Sequence, residues 1–286
     1  MRISVIVATL TAGATCSAFA QEGSKPAPVL TIYRETIKEG REAAHEKLEA
    51  DYAAAFRKVN HPAHYIALSS MSGPSTVWFV QPAGSFAVAQ EFDAASDKEP
   101  AKGLLAGFSA RDGELRSSSN ALWAVHRPDL SYRTDKFNRA KQRYVNIATY
   151  RVRLGHDDEF MAAVKAVYGA YEKANVDLCV LAYQVTAGAP SGTYLLIGPM
   201  ESMKVMDGAP ARGKAMQEGM GQENYAKLMK SAGDIFVSIE NTMFSVKPGM
   251  SYATQETIDA DPTFWKPKPA PKPAAAAAVP EKKSGQ

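Results

Sequence analysis

The chain has 286 residues, 33 Lys and Arg against 30 Asp and Glu, two Cys and 45% apolar residues. That length and apolar share supply a buried core for one large or two ordinary domains, and they exclude a disordered chain or a disulfide-built miniature. Without residues 1 to 20 and everything from Phe264 onward, 27 basic residues face 29 acidic ones, so the body carries no electrostatic footprint for nucleic acid.

The N-terminus reads as a secretory signal peptide. Arg2 is the positive start, Ile3 to Leu10 the apolar stretch, and Ala18-Phe19-Ala20 the cleavage motif before Gln21. Cys16 invites a lipoprotein reading, but Thr15 stands where a small residue is expected. Cleavage after Ala20 is preferred, which places the protein in the periplasm or outside the cell. It leaves Cys179 alone, read as a buried strand thiol in NVDLCVLAYQV that acts as a small hydrophobe.

Residues 21–28 form a polar linker, and the first folded unit spans 29–133. Val29 to Thr36 is a strand. A helix follows Gly40 and runs to about Val59, with an apolar stripe at Ala44, Leu48, Tyr52, Ala55, Phe56 and Val59. Pro62 is expected to end it, because the residue before proline is pushed out of the helical region. Tyr65 to Met71 and Thr76 to Val80 are strands joined by a Ser-Gly-Pro turn. A short helix starts at Ser85, a weaker one spans Ala101 to Arg116, and Ala121 to His126 closes the unit as a strand.

Residues 134–144, within RTDKFNRAKQR, read as a polar basic linker. The second unit, 145–253, repeats the order of the first. Tyr33-Arg34 lies over Tyr150-Arg151, Gly40 over Gly155, Thr76 over Thr193, and HRPDLSY from His126 over VKPGMSY from Val246. Its second helical region is rich in Met, which reads as core filling. GAPARGKA from Gly208 comes close to a phosphate-binding loop, but Ala215 stands where the magnesium-binding hydroxyl belongs. Residues 254–286 read as a Pro-, Ala- and Lys-rich disordered tail.

Each β-α-β-β-α-β unit is a ferredoxin-like arrangement whose sheet has helices on one face and leaves the other bare. Two such repeats are expected to pack sheet to sheet, giving an α+β intramolecular α/β barrel with helices outside. The stretches TYRVRLGHDDEF and YQVTAGAPSGTYLLIGP resemble the dimeric α/β-barrel superfamily, which includes antibiotic-biosynthesis monooxygenases and NIPSNAP-like proteins. The resemblance covers nearly all of Val29 to Tyr252, taken twice. It implies a monomer whose two repeats imitate the family's homodimer, with a small-molecule pocket between sheet and helices or inside the barrel. Fold does not settle function.

The repeated constellation Tyr33, Arg34, Trp78, Tyr150, Arg151 and Tyr194, joined by His64, is the candidate ligand-binding set. Neighbouring strand residues point to opposite faces, so each Tyr-Arg pair sends one member to the helices and one into the barrel. An Arg there would hold a carboxylate or enolate, or else pair with a nearby acid. Haem-degrading members of the superfamily use a helix-borne His, and His45 lies beside the first helix's stripe with Phe160 as its counterpart. His61 and His64 lack further ligands at metal-site spacing. The sequence calls for no cofactor, no metal, no nucleic acid and no membrane segment after cleavage. Two functions stand side by side: an exported module binding a small apolar or aromatic molecule, or a cofactor-independent monooxygenase or isomerase. What separates them is a proton acceptor with a perturbed pKa inside the cavity, needed only by the enzyme.

Overall fold

The computed structural model describes residues 25–266. The stretch read as a signal peptide, residues 21–24 of the expected first linker and the low-complexity end of the tail lie outside them. In the first half, β1 (Val29–Ile37), α1 (Glu42–Lys58), β2 (Ile66–Ser70), β3 (Thr76–Ala83), α2 (Phe86–Ser96), α3 (Ala101–Leu115) and β4 (Arg116–His126) follow one another. The second half has β5 (Tyr144–Val152), α4 (Asp157–Lys173), β6 (Leu181–Ala187) and β7 (Thr193–Met200). Three helices come next, α5 (Lys204–Asp207), α6 (Ala209–Met220) and α7 (Gln222–Ile235), and β8 (Phe236–Val246) closes the half. The stretch resembling a phosphate loop is helical, within α6.

The eight strands form one closed antiparallel barrel in the order β1-β3-β2-β8-β5-β7-β6-β4. The sheets expected to face each other are therefore one continuous wall. Its seams are β2 with β8, where Leu68 pairs with Val246, and β4 with β6, where His126 pairs with Tyr183. Closure leaves no free edge. Gly188, just past β6 at φ +84°, sits so close to β4 that a Cβ would stand 2.0 Å from the Ala121 carbonyl oxygen. Leu30, Ile32, Leu122, Ile147, Leu195 and Phe244 fill the interior, each at most 5% exposed. A void of about 70 Å³ remains there, so the barrel is packed core, as eight strands allow.

The α1 and α4 helices share their framing. Gly40 (φ +74°) and Gly155 (φ +88°) turn the chain ahead of them, and Asn60 (φ 49°) and Asn175 (φ 48°) stand in the left-handed region after them. Termination thus falls to an asparagine that tolerates this conformation, with His61 N–H donating to the Phe56 carbonyl at 3.1 Å. Pro62 comes after the helix has already ended.

Two boundaries read from the sequence need correction. The linker at 134–144 is packed: Phe137 is 7% exposed and joins the barrel core, and Arg139 and Gln142 are buried. The tail does not begin at residue 254. Helices α8 (Gln255–Ala260) and α9 (Pro262–Trp265) run back across the molecule. Trp265 is 1% exposed in the same core and donates from Nε1 to the Ala140 carbonyl at 2.8 Å. Asp261 accepts from Arg143 and Lys141, and the Arg143 guanidinium lies 3.8 Å from the Phe264 ring centroid. Low-complexity composition concealed an aromatic pair that closes the barrel end at which β1 and β5 begin. Cys179 precedes β6 and is half-buried, its thiol pushed up to about 11 by burial. Among the described residues no helix is long and apolar enough to cross a membrane.

Removing the Trp265 side chain empties a site in the core that the rest cannot refill. Trp265→Ala is expected to cost about 3–5 kcal/mol, read as a lowered urea midpoint at unchanged slope. A midpoint within error of the parent would show that α9 merely rests on the barrel.

Candidate functional site

Alternation along β1 sends Leu30 and Ile32 inward and Tyr33, Glu35 and Ile37 outward, under α1. On α1 the face turned to the sheet carries His45, Leu48, Glu49, Tyr52 and Phe56 at helical spacing. The last turn of α3 brings Asp112, and β4 opens with Arg116, four residues on. Four elements thus deliver five ionisable side chains to one buried place.

Burial there is nearly complete, with Glu35 at 7%, His45 at 1%, Glu49 at 6% and Asp112 at 8% exposure. His45 Nε2 donates to Glu35 Oε2 at 2.8 Å and lies 3.6 Å from Asp112 Oδ1 and 4.0 Å from Glu49 Oε1. The Arg116 guanidinium holds the other side, with Nη1 2.6 Å from Glu35 Oε1 and 3.1 Å from Asp112 Oδ2. Asp112 Oδ1 is buried with no hydrogen-bond partner, and so is the Tyr65 hydroxyl.

Three carboxylates around one guanidinium and one imidazole leave negative charge to be neutralised. Burial, and then the charges of Glu35 and Asp112, push Glu49 up to about 8. Near neutral pH Glu49 is therefore a protonated acid. Burial foremost, then Glu35, raises Asp112, against the opposing pull of Arg116.

This cluster forms part of the wall of a cavity of about 440 Å³ between the outer sheet face and α1, α2 and α3. Tyr33, Tyr52, Phe56, Phe79 and Phe108 make its aromatic sides, and Gln81, Asp93 and Ser96 its polar ones. Tyr52 meets Phe108 edge-on at 5.4 Å, and Phe56 meets Tyr65 at 5.8 Å and 90°. Burial raises the phenols of Tyr33, Tyr52 and Tyr65, which keeps them neutral donors. His45 stands behind the wall, reaching the cavity only through the carboxylates. A groove on α4 and α7 is wider, at about 680 Å³, but Ala162, Ala163, Ala166 and Gly169 make much of its wall.

The corresponding place in the second half is filled. Thr36 pairs with Thr76 and Ile37 with Arg116, while Arg151 pairs with Thr193 and Val152 with Phe236. Set on these rungs, Glu35 falls on Tyr150 and Arg116 on Phe236. His45 and Phe160 are each the fourth residue of their helix, and Glu49 and Val164 each the eighth. Asp112 falls on Ala232. Phe160, fully buried, packs 4.7 Å from Tyr194, 5.6 Å from Tyr150 and 5.9 Å from Phe236 by ring centroids. Equivalent positions carry charge in one half and an aromatic core in the other.

The seven side chains picked from the sequence do not converge. Tyr33 lines the cavity. Arg34 and Trp78 meet inside the barrel, with the guanidinium 5.4 Å from the ring centroid and Nε donating to Asn120 Oδ1 at 2.9 Å. Tyr150 and Tyr194 belong to the aromatic core of the second half, where the Tyr194 hydroxyl donates to Asp157 at 2.8 Å. Arg151 is exposed. His64 stacks on Tyr252 at 4.3 Å, away from the cavity's lining. Overlaying Tyr33-Arg34 on Tyr150-Arg151 is two residues out of register, since the rungs set Arg151 on Thr36. Glu35, Glu49, Asp112 and Arg116 were missed. Their signal was charge on a buried face: His45 and Glu49 flank Leu48 in the apolar stripe, opposite Phe160 and Val164.

No family model matches the sequence, and no curated protein does. Solved structures match in fold. A candidate monooxygenase from Fusobacterium nucleatum is 12% identical, with 77% of this chain and 93% of that one covered at a TM-score of 0.51. An anthrone oxidase-like protein is 10% identical, with 80% and 95% covered at 0.50. At such identities the likeness is one of fold, a closed eight-stranded antiparallel barrel with helices on its outside.

The Glu49 shift fixes a pH dependence of stability. Its folded value, about 8, lies above the ordinary 4.5, so the folded state keeps a proton that the unfolded chain releases. Stability from this group is fully present below about pH 4.5 and is lost as pH rises to about 8, by on the order of a few kcal/mol. Asp112, also raised, acts with the same sign. Urea midpoints of the parent should fall across that window, and Glu49→Gln should flatten the fall and be the more stable protein at its alkaline end. Equal slopes in both proteins would contradict the assignment.

Proposed function

We propose that the cavity of the first half is an active site that binds a small aromatic molecule and removes a proton from it. The observation that carries this reading is Asp112 Oδ1, a buried carboxylate oxygen that makes no hydrogen bond, in the wall of an aromatic cavity. A binding module needs apolar walls and a few fixed polar groups, and gains nothing from three buried acids. A reaction that begins by proton transfer needs an acceptor in reach, and burial makes Asp112 a stronger base than an ordinary carboxylate. Glu49 supplies the complementary acid. Burial raises both carboxyls, so the pair can take up a proton and pass it on within one wall. Arg116 orients Asp112 and lines the cavity, where developing oxyanion charge on the substrate would be stabilised.

The proton-abstracting classes are isomerases, which return the proton elsewhere on the substrate, and oxygenases, in which the substrate anion reacts with dioxygen. We favour a monooxygenase: an activated CH₂ becomes a carbonyl, one oxygen atom of O₂ enters the product and the other leaves as water. The names of the two structural neighbours agree with that class, though at their identities they carry only the fold. The same proposal takes the chain as two ferredoxin-like repeats in tandem, supported by the order 4-1-3-2 of the strands within each half. It takes the protein as a monomer exported by cleavage after Ala20.

The test is oxygen uptake with anthrone-type tricyclic and simple phenolic substrates, alongside calorimetric binding. Asp112→Asn is expected to bind them but to turn over about 10²–10⁴-fold more slowly. Binding by the parent without any turnover would favour the binding module, and neither binding nor turnover would leave the cavity without this function.

A further inference from the structure

The polar wall has a second property, one that puts the same carboxylates to a different use. We propose that Glu35, His45, Glu49 and Asp112 form a binding site for one first-row divalent cation of the manganese or iron type.

The donors already converge. One oxygen from each carboxylate and a ring nitrogen of His45 lie within 4.8 Å of one another. Atoms about 2.1 Å from a common ion stand about 3.0 Å apart at right angles and about 4.2 Å apart across it; the His45 distances of 2.8, 3.6 and 4.0 Å fall close to that range, and the widest pairs need to draw in by about an ångström. The oxygens have been sorted as well. Arg116 takes Glu35 Oε1 and Asp112 Oδ2, which leaves Glu35 Oε2 and Asp112 Oδ1 turned toward His45 Nε2. A cation holding the far oxygens of ligating carboxylates, so that the near ones converge, is the arrangement of an outer ligand shell.

Clustered acids alone would not argue for an ion. Here Asp112, 8% exposed, aims Oδ1 into the group with no hydrogen-bond partner. A buried, unpaired carboxylate oxygen is costly unless something positive meets it. One imidazole and three carboxylates form a mainly oxygen donor set with a single nitrogen, which favours manganese or iron over the thiolate-seeking metals. Binding requires Nε2 to give up its hydrogen bond to Glu35 and the ring proton to move to Nδ1. Glu35, Glu49 and Asp112 also line the cavity, so the ion would present an open coordination position to a bound molecule, as a Lewis acid must. In the second half Tyr150, Phe160, Val164 and Ala232 hold the matching places, and none supplies a comparable donor set.

This inference rests on the same cavity as the proposed function, yet its test reads the cation and not the reaction, so either can fail alone. Chelator-treated full-length protein is titrated with Mn²⁺, and the paramagnetic resonance of the free ion is followed. The expected result is one ion bound per chain, with coupling to one imidazole nitrogen that disappears in His45→Gln. Glu49→Gln should weaken binding at least about tenfold, and Arg116→Lys by about 10- to 100-fold while retaining the nitrogen coupling. Circular dichroism of each variant checks folding, and the nitrogen coupling of the parent stands even if a variant misfolds. No stoichiometric binding by the parent, no nitrogen coupling, or unchanged affinity in folded Glu49→Gln would overturn the site.

Discussion

Arg116 reaches two buried carboxylates with one guanidinium, and the candidate site depends on that contact. Without it, Glu35, Glu49 and Asp112 would repel one another in a medium that screens charge poorly. Held there, Glu35 and Asp112 each keep one oxygen on the guanidinium and one on the side of His45. The order of the chain makes this possible. Arg116 stands at the junction of α3 and β4, so one residue ties the helical layer to the barrel wall at the depth where Glu35 emerges from β1. Barrel closure then fixes β1 and β4 against each other over a long ladder, and the fork has no slack.

The architecture was legible because it is written in periods. Alternation in β1 and β5, the stripe on α1 and the shared order of elements were enough for a barrel with its helices outside. The inner and outer faces of β1 also follow from alternation. What misled was the match of Tyr33-Arg34 to Tyr150-Arg151. A slip of two residues preserves which side each strand residue faces, so the false pairing raised no conflict of inside and outside. Only the ladder, with Thr36 on Thr76 and Arg151 on Thr193, exposes it. The polar cluster was hidden for another reason: Glu49 in HEKLE looks like any solvated helix residue, and Asp112 and Arg116 meet Glu35 across a sequence gap that no short motif spans. Trp265 was hidden by its neighbours, since proline and alanine repeats follow it directly.

The contrast between the halves argues that the cluster is not needed for folding. The second half builds the same helix-on-sheet layer with Phe160, Tyr150, Val164 and Phe236, an arrangement that gains from apolar burial without desolvating charge. Buried ion groups often stabilise less than well-packed apolar replacements of similar volume. Five such groups around a cavity, with one oxygen unpaired, give up apolar packing, which is the cost that the proposed chemistry would account for.

The most direct test of that claim makes the first half resemble the second. Glu35→Tyr, His45→Phe, Glu49→Val, Asp112→Ala and Arg116→Phe are introduced together, and the urea midpoint is measured near neutral pH. The account predicts a folded protein at least as stable as the parent, with the cavity's ligand binding abolished. A folded variant markedly less stable than its parent would contradict it, because the charged cluster would then be part of what holds the barrel and its helices together.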